Sequence, residues 1–493
     1  MESLKEKTAK GLFWGGMNNG MQQLIGLVFG IILGRLLSPD DYGMIAMISI
    51  FSLIANELQS SGFKTALVNL KSPTHEDYNA VFWFNVMAGA VIYIILFFCA
   101  PLIADYYHQP DLVPLCRYAF LGFVFSSFGT AQSAFLTKNL KIKQIAETGI
   151  TAVLFSSIVG ALMAWQGFSY WSLATQTNLF IATNTILLWY HSTWRPSLHI
   201  NLRPVARMFR FSCKILASAI FGHINVNVLN ILLGHYFTAR DTGNYNQAYQ
   251  WNFKCFSLVQ GMTTQVAQPV FVELSGQRER QLGAFRKMMR FTAFISFPLL
   301  FGLSLVSHEF IVITIGEKWL NSASLMQILC IGGAVMPLST LMTNMVISHG
   351  RSNIYMWSTI ALGLTQIGLM MLLYPYGVRT MVIAYTLLQI AWVLVWWWFV
   401  HRLTGYRLTS LLADTLPFAG AAAVVMVATH FATMAISSNI LLLLARIVLA
   451  AVLYFAIMKM AHAVILEECI GFLKRKNTHP NPPKGREHNG DFE

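Results

Sequence analysis

The chain consists largely of apolar stretches of about twenty residues, separated by short polar turns, from Leu12 to about residue 458. A helix of about twenty residues can cross the roughly 30 Å hydrocarbon layer of a membrane. Lipid offers an open backbone no hydrogen-bond partner, so helices are the expected spanning form. With 55% hydrophobic and only 11% charged residues, a water-soluble core is excluded. The sequence therefore predicts an all-α integral membrane protein.

Fourteen segments fit this description, so we predict about fourteen transmembrane helices. The first apolar segment has no small-residue cleavage site and is followed at once by a second one. This pattern indicates a retained first helix and no signal peptide. The predicted segments are residues 12–34, 43–63, 80–102, 115–136, 145–165, 168–190, 212–234, 245–270, 291–314, 323–347, 354–374, 379–400, 411–435 and 438–458.

The basic residues are distributed unevenly between the loops. If the N-terminus is cytoplasmic, twenty-seven of the 34 lysines and arginines fall on that side, five fall on the other, and two lie within predicted helices. Over short loops this is the positive-inside asymmetry. It predicts a multi-pass membrane protein with both termini in the cytoplasm, and it explains the net charge of +13 without a nucleic-acid partner. The five residues are Arg35, Arg117, Arg240, Lys318 and Arg379.

A segment of thirteen residues recurs at an offset of 200 positions without a gap. Residues 31–43 read Ile-Ile-Leu-Gly-Arg-Leu-Leu-Ser-Pro-Asp-Asp-Tyr-Gly, and residues 231–243 read Ile-Leu-Leu-Gly-His-Tyr-Phe-Thr-Ala-Arg-Asp-Thr-Gly. Each copy connects two predicted helices on the sparsely charged side. This pattern is typical of a duplicated transporter bundle whose halves run parallel. We expect Asp41 and Asp241 to cap the helices that follow.

The offset divides the chain into two pseudo-symmetric lobes of six helices and an appended pair of helices. The connection between the lobes is basic and contains two prolines, and we expect a short amphipathic helix there on the membrane surface. From Lys474 the chain is polar and rich in proline, which is typical of disorder. The predicted domains are a first lobe at 1–190, a cytoplasmic linker at 191–211, a second lobe at 212–402, two appended helices at 403–460 and a basic tail at 461–493.

Two predicted helices carry polar residues at helical spacing. Amides cost free energy in lipid unless they meet protein or water, so both rows should face inward. Two interpretations stay open: hydrogen bonding between packed helices, or the lining of a hydrated cavity between the lobes that binds a substrate. The rows are Asn19, Gln22 and Gln23 in the first helix and His223, Asn227 and Asn230 in the seventh.

Few ionisable residues lie well inside the predicted helices. The offset of 200 places Glu57 and Lys254 at similar depth on equivalent helices of the two lobes. A charge within a membrane persists when it is paired or contacts water or an ionic ligand. Lys254, with Lys64 nearer the cytoplasm, is a candidate ligand of an anionic headgroup, and Glu57 is a candidate counter-ion or cation-coupling residue. A structural ion pair is the alternative. We expect Arg446 to snorkel or to pack against the bundle.

The sequence contains no catalytic or metal-binding motif. It has no His-Glu-x-x-His, Gly-x-Ser-x-Gly or Walker motif, and its six cysteines are isolated packing residues. We therefore expect neither an enzyme nor a cofactor or metal. The enzymatic alternative, a membrane saccharide polymerase or ligase, would need a large extracytoplasmic loop with charged residues. The longest predicted one, about 102–114, is short and does not have that density of charged residues.

Six motifs follow one another between about residues 5 and 400. They are Gly34 to Met47, Asp77 to Asn85, Phe135 to Lys143, Gly167 to Leu173, Gly234 to Tyr249 and Gly316 to Leu320. Together they resemble the polysaccharide transporters, or oligosaccharide flippases, of the multidrug/oligosaccharidyl-lipid/polysaccharide exporter superfamily. Within this family, the similarity is to exporters of the colanic-acid type.

The resemblance implies two six-helix lobes around a central cavity, with two extra helices. It implies alternating-access movement of a polyprenyl-pyrophosphate-linked oligosaccharide from the inner to the outer leaflet. Membrane lipids and a polysaccharide polymerase or assembly machinery are the implied partners. A cation-coupled multidrug antiporter of the same superfamily is the alternative. It should carry acidic residues inside the first lobe, where Glu57 is the one candidate.

Overall fold

In the computed structural model, the described part of the chain covers residues 4–60 and 63–468, and it contains α-helices and two 3-10 turns but no strand. The predicted all-α class is confirmed. The predicted disordered tail from Lys474 lies outside the described residues. The helices are α1 (Leu4–Leu36), α2 (Pro39–Ser60), α3 (Phe63–Asn69), α4 (His75–Tyr107), α5 (Leu112–Ala119), α6 (Leu121–Ser127), α7 (Thr130–Lys138), α8 (Ile142–Trp165), α9 (Trp171–His191), α10 (Arg203–Tyr236), α11 (Ala239–Glu273), α12 (Arg278–Leu305), α13 (Ser307–Thr314), α14 (Leu320–Gly333), α15 (Met336–Ser348), α16 (Ser352–Leu373), α17 (Val378–Thr404), α18 (Leu408–Ala432) and α19 (Asn439–Met460), with 3-10 turns at Glu317–Trp319 and Tyr374–Tyr376.

Side chains fix where α2 and α11 begin, and they do so in the same way. The backbone N–H of Ser38 donates to the Asp41 carboxylate at 2.8 Å, and the Asp41 N–H donates to the Ser38 hydroxyl at 3.3 Å. Thr238 and Asp241 exchange the equivalent bonds before α11 at 3.4 and 3.1 Å. Such a reciprocal pair satisfies two backbone groups that the first helical turn leaves without partners. The two aspartates thus take part in capping as predicted, but from the third helical position, with Ser38 and Thr238 at the N-cap positions.

Nine helical segments of the described chain are long and apolar enough to cross a membrane, and the bent pair Leu112–Ser127 and Thr130–Lys138 makes a tenth. The protein is therefore a multi-pass membrane protein. Four further helices, α1, α9, α10 and α11, have 21 to 35 residues but contain many amides and hydroxyls. They correspond to the four remaining segments of the predicted fourteen, and that count stays a prediction.

The last helix, α19, is fastened to α12 at two points. Proline has no N–H, so Pro298 leaves the carbonyl of Phe294 without its helical donor, and the Tyr454 hydroxyl donates to that carbonyl at 3.0 Å. At the C-terminal end of α12, Arg446 of α19 donates to the carbonyl of Leu305 at 3.1 Å. Arg446 is only 7% exposed, so it packs against the bundle and does not snorkel.

The helices group into two compact units that do not follow the sequence duplication. The first unit contains both α2 and α10, which come from different predicted lobes. The predicted lobe boundaries are therefore not the boundaries of these units, and the six-helix lobes stay a prediction. The first unit comprises Met1–Phe253, Ser307–Leu329 and Arg351–Trp392, and the second comprises Lys254–Val306, Cys330–Gly350 and Val393–Glu493.

The connection between α9 and α10 is non-helical in its first part, and the rest of the predicted linker, residues 203–211, is helical as the start of α10, so a short surface helix there stays a prediction. Residues 192–202 are non-helical, and α10 begins at their end. Pro196 cannot donate a helical hydrogen bond and restricts the residue before it to extended conformations. The Asn79 side chain on α4 then holds the segment: it donates to the His199 carbonyl at 2.6 Å and accepts from the Ser197 N–H at 2.9 Å.

Candidate functional site

The two copies of the repeated turn pack against each other within the first unit. A Cβ added to Gly43 would lie 1.8 Å from the carbonyl oxygen of Ala239, and one added to Gly243 would lie 1.8 Å from the carbonyl oxygen of Pro39. Real Cβ atoms essentially never come this close to another heavy atom, so the approach requires glycine on both helices. We call this reciprocal crossing of α2 and α11, at Pro39, Gly43, Ala239 and Gly243, the paired-turn contact.

Carboxylates stabilise the two helix ends that meet there. Asp41 is 7% exposed, and in addition to its bonds with Ser38 it accepts a hydrogen bond from the Ser169 hydroxyl. Asp241 accepts from the Thr238 hydroxyl at 2.7 Å. A helix N-terminus carries a partial positive charge that an adjacent carboxylate offsets. The two N-termini can therefore lie side by side without strong repulsion.

The segment after α13 covers the end of α1 beside this contact. The indole N–H of Trp319 donates to the Gly34 carbonyl at 2.8 Å, and the Lys318 ammonium donates to the Arg35 carbonyl at 2.7 Å. Arg35 in turn donates to the Thr314 carbonyl at 2.7 Å. The last carbonyls of a helix lack helical donors, and two of them are satisfied here. Trp319 belongs to a recognised motif, but nothing in the sequence indicated what it would bind.

Helices α2 and α10 run antiparallel away from the paired-turn contact. Near it, a Cβ added to Gly234 would lie 2.9 Å from Cγ of Met47, so the two helices are close. Further along both helices, His223 Nε2 lies 3.2 Å from Glu57 Oε1. These side chains are 28% and 30% exposed, so the pair is accessible from one side. The structure thus brings together two predicted site residues, and they form a salt bridge when His223 is protonated.

The polar row on α10 makes mainly structural hydrogen bonds. Asn227 donates to the His223 carbonyl at 3.0 Å, and Asn230 donates to the Asn227 side-chain oxygen at 3.3 Å. Both asparagines are buried, at 6% and 4% exposure. The sequence reasoning missed Asn225, which lies off this row and donates to the Thr359 carbonyl of α16 at 2.6 Å. The bonds of Asn227 and Asn230 stay within α10, and only the bond of Asn225 joins two helices, so both interpretations of the row stay open.

The polar row on α1 is split between packing and exposure. Gln22 donates to the Asn18 side-chain oxygen at 2.7 Å. A Cβ on Gly149 of α8 would lie 2.4 Å from the Gln22 amide nitrogen, so Gln22 faces the α8 backbone. Asn19 and Gln23 are exposed. Asn19 and Gln23 are therefore the most accessible residues of the predicted row, and Gln22 is partly buried.

The two candidate lysines lie in different units. Lys64 is exposed on α3 in the first unit. Lys254 is half-buried on α11 and belongs to the second unit, so its predicted relation to Glu57 stays a prediction. Within residues 4–60 and 63–468, no three histidine, cysteine or acidic side chains group as metal ligands would.

Sequence comparison places the chain among proteins of polysaccharide biosynthesis. A family model described as "Polysaccharide biosynthesis protein" matches residues 32–324. The chain is 27% identical over 358 residues to the lipopolysaccharide biosynthesis protein WzxC of Escherichia coli (strain K12), which covers 71% of this chain and 72% of WzxC. It is 25% identical over 396 residues to the teichuronic acid biosynthesis protein TuaB of Bacillus subtilis (strain 168), which covers 80% of each protein.

Structure comparison identifies the fold. The lipid II flippase MurJ, in an inward closed conformation, superposes with a TM-score of 0.74 over 92% of this chain and 100% of that chain. The sequences are 13% identical, so the likeness concerns the fold alone. The chain therefore has a MurJ-like fold.

Proposed function

The chain belongs to the polysaccharide biosynthesis protein family of the multidrug/oligosaccharidyl-lipid/polysaccharide exporter superfamily, and from this premise we propose that it is a flippase for a polyprenyl-pyrophosphate-linked oligosaccharide. The cargo is a repeat unit of a lipopolysaccharide O-antigen, capsule or exopolysaccharide. It moves from the inner to the outer leaflet of the bacterial inner membrane. The names of the relatives WzxC and TuaB, both polysaccharide biosynthesis proteins, support this cargo class. A polysaccharide polymerase then receives the unit.

The paired-turn contact is the observation that carries the proposal. It joins the same turn of two repeats through Gly43 and Gly243, as expected for two lobes related by an axis along the membrane normal. In the proposed architecture, fourteen helices form two six-helix lobes and an appended pair, with both termini in the cytoplasm. The paired-turn contact is then the closed extracytoplasmic gate, and the cavity opens towards the cytoplasm.

The accessible polar residues match the chemistry of such a cargo. Exposed amides at Asn19 and Gln23 can hydrogen-bond to sugar hydroxyls, which act as both donors and acceptors. Lys64 in the first unit and Lys254 in the second are separate candidates for the point charge that binds the pyrophosphate, while the prenyl tail stays in lipid. We assign Gln22, Asn227 and Asn230 a supporting role, because they pack within the bundle. These three residues thus stabilise the helices that carry the accessible polar residues.

One observation favours the alternative function, a cation-coupled multidrug antiporter. Glu57 is an accessible carboxylate within a candidate span, and it lies beside a titratable imidazole, His223. A proton or sodium ion competing for Glu57 would break this pair. Cation coupling through Glu57 is compatible with a flippase as well. The antiporter and the flippase are therefore distinguished by their cargo and not by this residue.

The direct test is the leaflet location of the lipid-linked glycan. We expect a strain without the gene, and without a redundant transporter, to accumulate the glycan in the inner leaflet. The full chain supplied from a plasmid should restore outer-leaflet delivery. Delivery is measured by adding a glycosidase or lectin to spheroplasts and determining how much of the lipid-linked glycan it reaches from outside. Unchanged delivery in the deletion strain, together with altered drug efflux, would favour the antiporter instead.

Loss of the Glu57 charge is expected to slow transport about tenfold, the size of one charge-assisted hydrogen bond. Glu57→Gln should have this effect in the complementation assay, with little change in thermal stability, because the pair is partly exposed. Glu147→Gln is the matched control, since Glu147 forms a surface pair with Lys143 at 3.6 Å. The double variant Glu57→His/His223→Glu keeps the pair with its two side chains exchanged. It should restore transport if transport requires this pair to form and break. Full transport by Glu57→Gln alone would remove Glu57 from the mechanism.

A further inference from the structure

A buried carboxylate in the second unit binds two arginines. Asp414 on α18 has no exposed side-chain surface. Arg286 of α12 donates to its two oxygens from Nε at 2.9 Å and Nη2 at 3.1 Å. Arg290, one turn later, donates from Nε at 2.6 Å, and the Tyr406 hydroxyl donates at 3.0 Å. We call these four residues the Asp414 cluster.

The Asp414 cluster has one positive charge in excess. Asp414 already accepts four hydrogen bonds, so the capacity of its two oxygens is used. Each guanidinium has five N–H donors, and only three of the ten point to Asp414. In the part of the chain that the structure describes, Arg286 and Arg290 form ion pairs with Asp414 alone. Their side chains are 36% and 39% exposed, so the remaining donors are accessible.

The cluster lies at the level of α12 where lipid headgroups are expected. The thirteen residues of α12 up to Arg290 extend about 20 Å at 1.5 Å per residue, and the predicted span 291–314, which follows them, is long enough for the hydrocarbon layer of about 30 Å. The apolar run of α12, residues 291–305, begins directly after Arg290. Residues before it therefore project from the hydrocarbon. Arg286 and Arg290 then lie beside the phosphates of one leaflet.

A neighbouring ion pair on α12, by contrast, has no excess of positive charge. Lys287 lies 2.7 Å from Glu468, one positive charge to one negative. That pair is balanced and needs no further anion. The Asp414 cluster is not balanced, and a guanidinium with free donors matches two oxygens of a phosphate.

We propose that Arg286 and Arg290 form a binding site for the phosphate of an anionic membrane phospholipid, separate from the transported cargo. Asp414 orients the two guanidinium groups and fixes α18 to α12, and the lipid phosphate balances the excess charge. Anionic lipids are attracted to such basic sites at the membrane surface. The bound lipid then stabilises the packing of the appended helix α18 on α12.

Native mass spectrometry of the purified full-length protein tests this site independently of transport. The quantity measured is the amount of phosphatidylglycerol that the protein retains. We expect the natural protein to retain phosphatidylglycerol over phosphatidylcholine, and Arg290→Gln to weaken this retention about tenfold. Arg286 keeps both of its bonds to Asp414 in this variant, so the fold should be preserved. Arg280→Gln is the matched control, because Arg280 is exposed on the same helix and binds Gln277.

Three further outcomes decide the assignment. Asp414→Asn should keep phosphatidylglycerol bound even where it lowers thermal stability, because it frees both guanidinium groups. Equal retention by Arg290→Gln and the natural protein would overturn the proposal. Inorganic phosphate that displaces the lipid at equal concentration would overturn the lipid assignment, because the acyl chains would then contribute nothing.

Discussion

Replacing Gly43 or Gly243 with alanine is expected to destabilise the protein by at least about 3 kcal/mol, the upper part of the range for overpacking a closed contact. The added methyl group would lie 1.8 Å from a backbone oxygen of the facing helix. A backbone atom cannot move aside as a flexible side chain can, so α2 and α11 would have to separate. Thermal unfolding of the detergent-purified protein measures the loss.

Gly261 on α11 provides the matched control, because a Cβ there meets nothing within 4 Å. Gly261→Ala should be neutral or stabilising by about 0.5–1 kcal/mol, since alanine is the better helix former. If Gly243→Ala and Gly261→Ala unfold at the same temperature, the paired-turn contact is not formed in the membrane protein. Under the proposed mechanism, the same alanine variants should also open the extracytoplasmic gate.

Truncating Trp319 to alanine is expected to cost about 3–5 kcal/mol, the usual range for a buried tryptophan. The side chain is fully buried, its ring contacts Tyr42 edge-on at 5.2 Å between centroids, and its N–H binds the Gly34 carbonyl. Trp319→Phe keeps a ring but not the donor, so it should lose about 1–3 kcal/mol. Unfolding temperatures of the purified variants are the measurement.

Trp357 is the matched surface control for this experiment. It is 64% exposed on α16, so Trp357→Ala removes the same group from a site with few contacts. Its effect should stay within about 0.5 kcal/mol. A Trp319→Ala protein as stable as Trp357→Ala would show that the segment after α13 does not hold the end of α1.

The sequence predicted the helical class because backbone groups in lipid have few alternatives to a helix. It predicted that Asp41 and Asp241 take part in capping, because capping depends on residues close in the chain, but not that Ser38 and Thr238 occupy the N-cap positions. The linker was different. Its prolines and basic residues predicted a cytoplasmic connection, but the backbone around Ser197 and His199 is held by Asn79, more than a hundred positions away. Local patterns do not carry such contacts.

The sequence predicted individual residues of the site but not the contacts between them. Glu57 and His223 were both identified from their cost in a membrane, yet their contact joins positions 166 apart. Helical spacing placed Gln22 and Gln23 in one row. It could not tell which of them faces α8, because that depends on how the helices rotate against each other. Asp414 was missed, since a single acidic residue near a helix start resembles an ordinary surface residue.

The bond from Tyr454 to the carbonyl freed by Pro298 has a mechanical consequence. A helix with an internal proline is weakest in bending at the missing hydrogen bond. Here the replacement donor belongs to α19, so a change in the bend of α12 must stretch or break a contact worth about 1 kcal/mol. Helix α19 therefore helps to set the stiffness of α12, and removing α19 would make α12 easier to bend at Pro298.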